Sequence, residues 1–359
     1  MATVLRNVHV FDGDGFSDPR DVALAGGVVV EDAGPDADIV DGAGGYLVPG
    51  LIDCHIHLAG PHTQELLAAA GVTTGLDMSS PAPLVNAMRG RAGVADIRSA
   101  MMATTSPVSA HAERMKDIPA AREALVPSAA DAEQAVDLRV AQGADYLKIV
   151  IDLPGFDAET VDALVAAAHA RGLRTVAHAS RSDAVAMAEA AGIDVLTHAP
   201  LDRPVEAAQA ERLAAAGTVV VPTLTMMRGI TDVLRTAGVH GPSYQAARES
   251  VRALHKAGVP ILAGTDANET PAAPASPPFG SSLHDELELL VEAGLTPVEA
   301  LRAATSVAAE HFGLADRGTI APGLRADLVL LEADPTADIS ATRSIRGVWL
   351  AGERLAGSA

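Results

Sequence analysis

The chain of 359 residues alternates short apolar segments with stretches of helical periodicity, and this alternation limits the folds it can adopt. Stretches such as 159–172 and 182–192 have apolar side chains at helical spacing and end in glycine. Strands that alternate with helices are parallel, so the pattern predicts an α/β fold, a (β/α)8 TIM barrel. The eight expected strands are 51–57, 72–78, 97–105, 145–151, 174–178, 194–198, 218–224 and 260–266.

The two ends of the chain have a different pattern. Residues 1–50 and 319–359 contain short strand-like segments and glycine-rich turns. Because two small sheets are not stable alone, we expect them to pair into one small β-sandwich domain. The barrel would occupy 51–318, with two further helices, 283–294 and 296–313, after its last strand.

Two long connections are expected on the face where the strands end. One runs from Ser106 to Pro127, and the other, 268–280, is rich in proline. Loops on that face of a barrel carry function, so both are candidate lids or substrate walls.

Composition excludes several classes of partner. A net charge of −20 and a pI near 4.9 argue against nucleic acid, because few cations could neutralise phosphates. We see no signal peptide and no membrane-spanning apolar stretch. Cys54 is the one cysteine, which suits a reducing cytoplasm. We therefore expect a cytoplasmic protein with a small-molecule partner, and the sequence leaves a homo-oligomer open.

The first strand carries a His-x-His pair. Because strand side chains alternate, Asp53, His55 and His57 are expected on one face, and the apolar residues Ile52, Cys54, Ile56 and Leu58 on the other. Two imidazoles on one face can bind one metal ion. The alternative is two histidines satisfied by backbone carbonyls.

Lys148 lies inside the apolar segment DYLKIVI, on the same face as Tyr146 and Val150. Burial lowers the pKa of a lysine and yields a neutral amine. Such an amine can take up carbon dioxide and become a carbamate, an anion able to bridge two cations. The alternative is an ammonium group that pairs with a carboxylate such as Asp266.

Three more ligand-type side chains end strands. His178 and His198 are one βα unit apart, so we expect them on adjacent strands, and Asp266 would end the strand beside the first. Together with the His pair and Lys148, they predict a hydrolytic metal centre. Asp266 could bind one metal and accept a proton from bound water as general base.

The segments LVPGLIDCHIHL, GVTTGLDM and AGTDA resemble motifs of the amidohydrolase superfamily, in the branch that contains imidazolonepropionases and Xaa-Pro dipeptidases. The stretch ELLVEAGLTPVEALRAATSVAAEHFGL, followed by DRGTIAPGLRADLVLL, resembles the closing part of that family. The resemblance covers nearly the whole chain. Its motifs identify the superfamily without identifying a substrate.

The resemblance implies two divalent ions, with zinc as the usual ion of the family. His55, His57 and Asp266 would hold the α metal and His178 and His198 the β metal. Carboxylated Lys148 (N6-carboxylysine) would bridge both. Imidazolonepropionases use one metal and lack this lysine, so Lys148 favours the two-metal, dipeptidase-like group.

Residues that contact the substrate are harder to predict. His111 resembles a family histidine that polarises the scissile carbonyl, and the alternative is a surface histidine. Tyr244 and Arg228 could bind a substrate carboxylate or be exposed. Met226, Met227, Leu153 and Phe279 could form an apolar wall or belong to the core.

These observations predict a metal-dependent hydrolase that cleaves an amide or peptide bond in a small molecule with an apolar portion. A hydroxide that bridges the metals would attack the carbonyl carbon, with Asp266 as general base. The same centre could serve a lactonase or phosphotriesterase, and no motif separates these alternatives. A metal-binding protein without activity would need no general base, which argues against that third hypothesis.

Overall fold

A computed structural model describes residues 2–271 and 273–356, which form an α/β fold with parallel sheets. The outer limits of the two predicted terminal segments, residue 1 and residues 357–359, lie outside the described residues. The strands are β1 (Ala2–Val10), β2 (Arg20–Ala25), β3 (Val28–Val30), β4 (Asp38–Asp41), β5 (Tyr46–Pro49), β6 (Leu51–Ile56), β7 (Val72–Asp77), β8 (Asp96–Ser99), β9 (Thr104–Thr105), β10 (Leu147–Val150), β11 (Thr175–His178), β12 (Val195–Thr197), β13 (Val219–Val220), β14 (Leu328–Leu331), β15 (Ile345–Leu350) and β16 (Glu353–Arg354).

Helices follow most strands of the central region, as the periodicity predicts. They are α1 (Pro61–Ala69), α2 (Ala82–Met88), α3 (Ala110–Met115), α4 (Ala132–Gln142), α5 (Ala158–Ala170), α6 (Ser182–Ala190), α7 (Ala207–Ala216), α8 (Leu224–Thr236), α9 (Tyr244–Lys256), α10 (Ser281–Ala293), α11 (Pro297–Ala303) and α12 (Ser306–His311). Within the described residues, no helix has the length and apolarity needed to cross a membrane.

Strands from both ends of the chain meet in one sheet. Its order is β16-β15-β14-β5-β1-β2-β3, and β4 pairs with β1 as well. Side chains of β2 and of β14, which lie apart in that order, pack in one cluster with Trp349, whose side chain is 1% exposed. The two ends of the chain therefore share a hydrophobic core of their own.

The central region contains two parallel sheets, β6-β7-β8 and β13-β12-β11-β10-β9. Residues 261–267 lie between them, because Ile261 bridges Val220 of β13 and Ala267 bridges Ile56 of β6. The predicted strand 260–266 is thus wrong as a regular strand. Asp266 has a positive φ of 59°, which interrupts extended backbone.

Three other predicted elements are shorter than expected, for local backbone reasons. The strand 97–105 is divided into β8 and β9 where Met101 has a φ of 58°. The strand 218–224 is reduced to β13, because Thr223 is left-handed and α8 begins directly after it. The helix 296–313 is divided into α11 and α12 at Thr305, whose φ and ψ are −137° and −100°.

The central sheets separate two hydrophobic clusters. Ile52 and Leu76 pack in one cluster with Tyr146, Val176 and Val195, although these come from two different sheets. We call this the inner cluster. The outer cluster contains the opposite faces of the strands and the apolar faces of the helices.

Candidate metal centre

An irregularity in β6 brings both histidines of the His-x-His pair to the ligand side. Asp53 is paired with Gly75 of β7, and the next paired residue, Ile56, is opposite Asp77. From one pair to the next, β6 therefore advances by three residues and β7 by two. This is the geometry of a β-bulge, which redirects side chains. The expected sharing of faces is therefore wrong for Ile56 and Leu58, which pack in the outer cluster, whereas Ile52 and Cys54 share the inner cluster as expected.

Asp53 contacts the segment that carries Asp266. Its carboxylate accepts hydrogen bonds from the backbone amide of Thr265, at 3.1 Å, and from the Thr265 hydroxyl, at 2.7 Å. It also accepts one from the amide of His55. Asp53 thereby connects the strand that carries the histidine pair to the segment that carries Asp266.

The predicted α-metal ligands lie together. The ligand atoms of His55, His57 and Asp266 are all within 4.8 Å of one another. Asp266 Oδ1 lies 3.0 Å from His57 Nε2 and 3.4 Å from His55 Nε2. The left-handed backbone of Asp266 is a local cost, and such costs occur where a site requires a particular side-chain direction.

The predicted β-metal ligands are on adjacent strands, as expected. His178 ends β11, and His198 directly follows β12. His198 Nε2 is 2.9 Å from His178 Nδ1, and its Nδ1 is 3.9 Å from Asp266 Oδ2. All five side chains are therefore close enough to share one polar centre.

Lys148 is buried beside these groups, with 3% of the residue exposed. Burial lowers its pKa to about 7. Its Nζ donates a hydrogen bond to the hydroxyl of Thr197 at 2.7 Å. Among the described residues it makes no ion pair with Asp266, so the alternative of an ammonium–carboxylate pair is not observed.

The electrostatics suit metal ligands. Burial, followed by neighbouring positive charge, lowers the pKa of His55, His178 and His198 well below the ordinary value, which favours the neutral imidazole that binds metals. Burial opposes protonation of His57 too, but the hydrogen bond to Asp266 and the negative charges of Asp266 and Asp77 together outweigh it and raise the pKa. His55 Nδ1 is buried without a hydrogen-bond partner in the described part of the chain. Neutral imidazoles, a carboxylate and a buried amine together fit a divalent cation.

A cavity of about 510 Å³ opens next to this centre. Its volume is in the range typical of small-molecule sites. Side chains from β10, from α8 and from residues 102–118 form its walls. The predicted loop 106–127 is not structureless, because it contains α3 and a 3-10 helix, Pro119–Ala124.

The structure places only some of the predicted substrate residues at the cavity. His111 and Met226 line the cavity. Tyr244, Arg228 and Leu153 are not among its described lining residues, and Leu153 is 38% exposed. Their proposed substrate contacts stay predictions without support from the cavity.

Sequence reasoning missed two charged residues of the cavity wall, Asp152 and Arg114. Asp152 Oδ2 accepts a hydrogen bond from the backbone amide of His111 at 2.9 Å, and its Oδ1 lies 3.8 Å from His178 Nε2. Asp152 follows β10 at the strand end, four residues after Lys148, and that position was the available signal. Arg114 carried no such signal, because it lies in a short helix and not at a strand end.

His111 faces the cavity in its neutral form at physiological pH. Burial, followed by the positive charge of Arg114, lowers the pKa of its imidazole to about 4. A neutral imidazole can donate one hydrogen bond to a substrate oxygen without carrying charge.

Comparisons with known proteins agree with this site. The profile of the amidohydrolase family matches residues 46–355. The imidazolonepropionase of Deinococcus deserti is 30% identical to this chain, over 94% of the chain and 90% of that protein. A Xaa-Pro dipeptidase structure with bound methionine superposes with a TM-score of 0.83 at 20% identity, and covers 99% of both chains. A prolidase complexed with N-methylphosphonate-L-proline gives 0.81 at 24% identity and the same coverage.

The structural likenesses concern the fold, whereas the sequence matches establish kinship. The described ligand cluster is the kind of site on which such enzymes depend. The chain belongs to the amidohydrolase family and is a metal-dependent hydrolase that acts on carbon–nitrogen bonds.

Proposed function

We propose that this protein hydrolyses an amide or peptide bond in a small molecule that has an apolar portion. The observation that carries the proposal is the convergence of His55, His57 and Asp266 with two further histidines and a buried lysine at the base of the cavity. A cavity of about 510 Å³ suits a dipeptide or an N-acyl amino acid.

Two divalent ions, zinc by analogy with the family, would occupy this centre. His55, His57 and Asp266 would hold the first ion, and His178 and His198 the second. Lys148, as a carbamate, would bridge them. The lowered pKa of Lys148 supports this modification, because a neutral amine is the form that reacts with carbon dioxide. Ions at these positions would supply Lewis-acid chemistry and lower the pKa of water.

The side chains of the protein would perform the remaining steps. Asp266 would accept a proton from the attacking water and deliver it to the leaving amine, which gives it the role of general base and then general acid. His111 would donate a hydrogen bond to the carbonyl oxygen, where negative charge develops. Met226 and its neighbours would exclude water from the apolar part of the substrate.

Lys148 also helps to decide whether the centre holds one metal ion or two, a point on which the two groups of relatives differ. The imidazolonepropionase resemblance implies one metal and no bridging lysine, whereas the prolidase resemblance implies two metals. A lysine buried among the histidines supports the two-metal alternative.

We further infer that β6 to β13, together with residues 260–266, form one closed (β/α)8 barrel over 51–318. The support is a chain of backbone hydrogen bonds around the ring. Cys54 donates to Ala263, Leu262 donates to Val220, and Asp145 donates to Ser99. We infer likewise that 1–50 and 319–359 form a β-sandwich domain, since β2 and β14 share one core.

The test is a hydrolysis panel on the metal-loaded protein, with N-acyl amino acids, dipeptides, lactones and phosphotriesters. We expect turnover of the amides, loss of activity with a chelator, and recovery with zinc, manganese or cobalt. Elemental analysis should find two ions per chain. Turnover confined to lactones or phosphotriesters would contradict the proposal, as would full activity with one ion.

A further inference from the structure

The cavity walls are unusually rich in methionine. Five of the nine methionines of the chain line it. They are Met78, Met102, Met115, Met226 and Met227. Methionine is flexible and polarizable, so a wall of this kind adapts to apolar groups of irregular shape. The apolar part of the substrate is therefore expected to contact this wall.

The carboxylates that line the cavity already have partners. The described lining includes two, Asp266 and Asp152. Asp266 is grouped with the histidines of the metal centre, and Asp152 accepts the backbone amide of His111. Both carboxylates therefore have contacts within the protein, and Oδ1 of Asp152 accepts no hydrogen bond from the described residues.

Arg114 is the charged lining residue without a partner. Its side chain makes no hydrogen bond or ion pair with any residue in 2–271 or 273–356, while the nearby Lys116 is paired with Glu113. The other basic side chain of the wall, Lys148, donates to Thr197. An arginine at a cavity wall can bind a carboxylate with two parallel hydrogen bonds.

The position of Arg114 is set by contacts of its helix. Ser109 caps α3 by accepting a hydrogen bond from the amide of Ala112. The bond from His111 to Asp152 then holds the start of α3 against the end of β10. Arg114 follows His111 by three positions, so both lie on the same side of the helix, towards the cavity.

We propose that Arg114 binds the carboxylate of the substrate and makes the enzyme selective for N-acylated amino acids with an apolar acyl group or side chain. This inference rests on the proposed amide hydrolysis. Because Asp266 belongs to the metal centre and Asp152 supports α3, the wall is better suited to a carboxylate than to an ammonium group, and a dipeptide with a free amino terminus is a poorer substrate. A neutral amide without a carboxylate is poorer as well.

The experiment compares N-benzoyl-leucine, its carboxamide N-benzoyl-leucinamide, and leucyl-leucine. The proteins are the wild type, Arg114→Gln, and two controls. Arg122→Gln removes an exposed arginine of the same segment that does not line the cavity, and Arg228→Gln tests the residue favoured by sequence. All are assayed at matched metal content.

The wild type should prefer N-benzoyl-leucine to its carboxamide by about ten- to a hundredfold in kcat/KM, the usual range for a charge-assisted contact. Arg114→Gln should abolish this preference, mostly through a higher KM for N-benzoyl-leucine, with a much smaller effect on the carboxamide. Arg122→Gln should retain the preference. Equal rates of the wild type on both compounds, or equal losses on both in Arg114→Gln, would overturn the inference.

A binding measurement separates this inference from the proposed function. Calorimetric titration of metal-loaded protein with N-benzoyl-leucine and its carboxamide reports carboxylate selectivity even where no amide is cleaved. Selective binding that disappears in Arg114→Gln supports the role of Arg114, whatever the turnover. Amide turnover without selective binding retains the proposed function and rejects the role of Arg114.

Discussion

The carboxylate of Asp152 accepts a hydrogen bond from the backbone amide of His111 at 2.9 Å, and so connects the end of β10 to α3. Asp152→Ala removes this acceptor and should loosen the helix that carries both His111 and Arg114. We expect kcat/KM to fall about tenfold, the usual effect of one lost hydrogen bond to a charged group. Steady-state kinetics with parallel metal analysis checks this.

Asp152→Asn is the matched control, because its amide oxygen can still accept the bond. It should retain most of the activity lost by Asp152→Ala. Equal losses in both variants would mean that the negative charge near His178, rather than the contact with α3, is the feature that matters.

Asp266→Asn tests the general base. Asparagine can still coordinate a metal through its oxygen, so the fold and much of the metal should persist. Because it cannot accept the proton, turnover should fall by roughly 10² or more. Single-turnover and steady-state rates, with circular dichroism and elemental analysis, provide the measurement. A variant with near wild-type turnover would exclude this role.

Lys148→Ala tests the carbamate. The variant should lose most activity and much of its metal, since a bridging anion would be missing. Short carboxylic acids such as acetate should restore part of the activity, because they can supply an anion in the same place. The control is wild-type protein with the same acid, which should show no gain. Two tightly bound ions and full turnover in Lys148→Ala would reject the bridge.

His284 lies outside the metal centre, and we expect its protonation to make stability depend on pH. Its ring contacts Thr342 and the carbonyl of Ala70, and burial, followed by the charge of Arg343, lowers its pKa from 6.5 to about 4. Above pH 6.5 the ring is neutral in both states, and its contribution to stability is complete. As the pH falls from 6.5 to 4, the unfolded chain binds a proton that the folded chain does not, so stability is lost.

The measurement is the free energy of unfolding of the wild type and of His284→Gln, at equal metal content, from pH 7 to 4. Glutamine can donate to Ala70 but does not titrate. The wild type should lose about 2–3 kcal/mol more than the variant over this range. Parallel curves for both proteins would show that His284 is not the group responsible.

Part of the site was accessible from sequence because its signals are local. Lys148, His178 and His198 each belong to or directly follow an apolar run of strand length, and the ends of parallel strands meet on one face. The confirmed predictions, the family and the hydrolase class, depend on such runs and on the motifs around them. Strand periodicity needs no distant contact to be recognised.

Predictions made from strand periodicity were wrong where the backbone departs from regular geometry. The bulge in β6 places Ile56 in the outer cluster, away from Ile52 and Cys54, while both histidines still reach the metal centre. The left-handed residues Met101, Thr223 and Asp266 shorten or remove predicted strands. These conformations are not favoured by the residues themselves, so the local pattern of apolar residues does not reveal them.

The sequence alone thus determined the order of the elements and the ligands at their ends, since both follow from the local alternation of apolar and polar residues. Only the tertiary structure decided which charged residues enter the cavity. Arg228 follows a strand and suggested a substrate contact, yet it lies outside the described cavity wall, whereas Arg114 lines it from a helix of six residues. So short a helix is not stable alone and carries no clear periodicity. Its position depends on contacts such as that between His111 and Asp152, which are 41 residues apart in sequence and adjacent only in the folded chain.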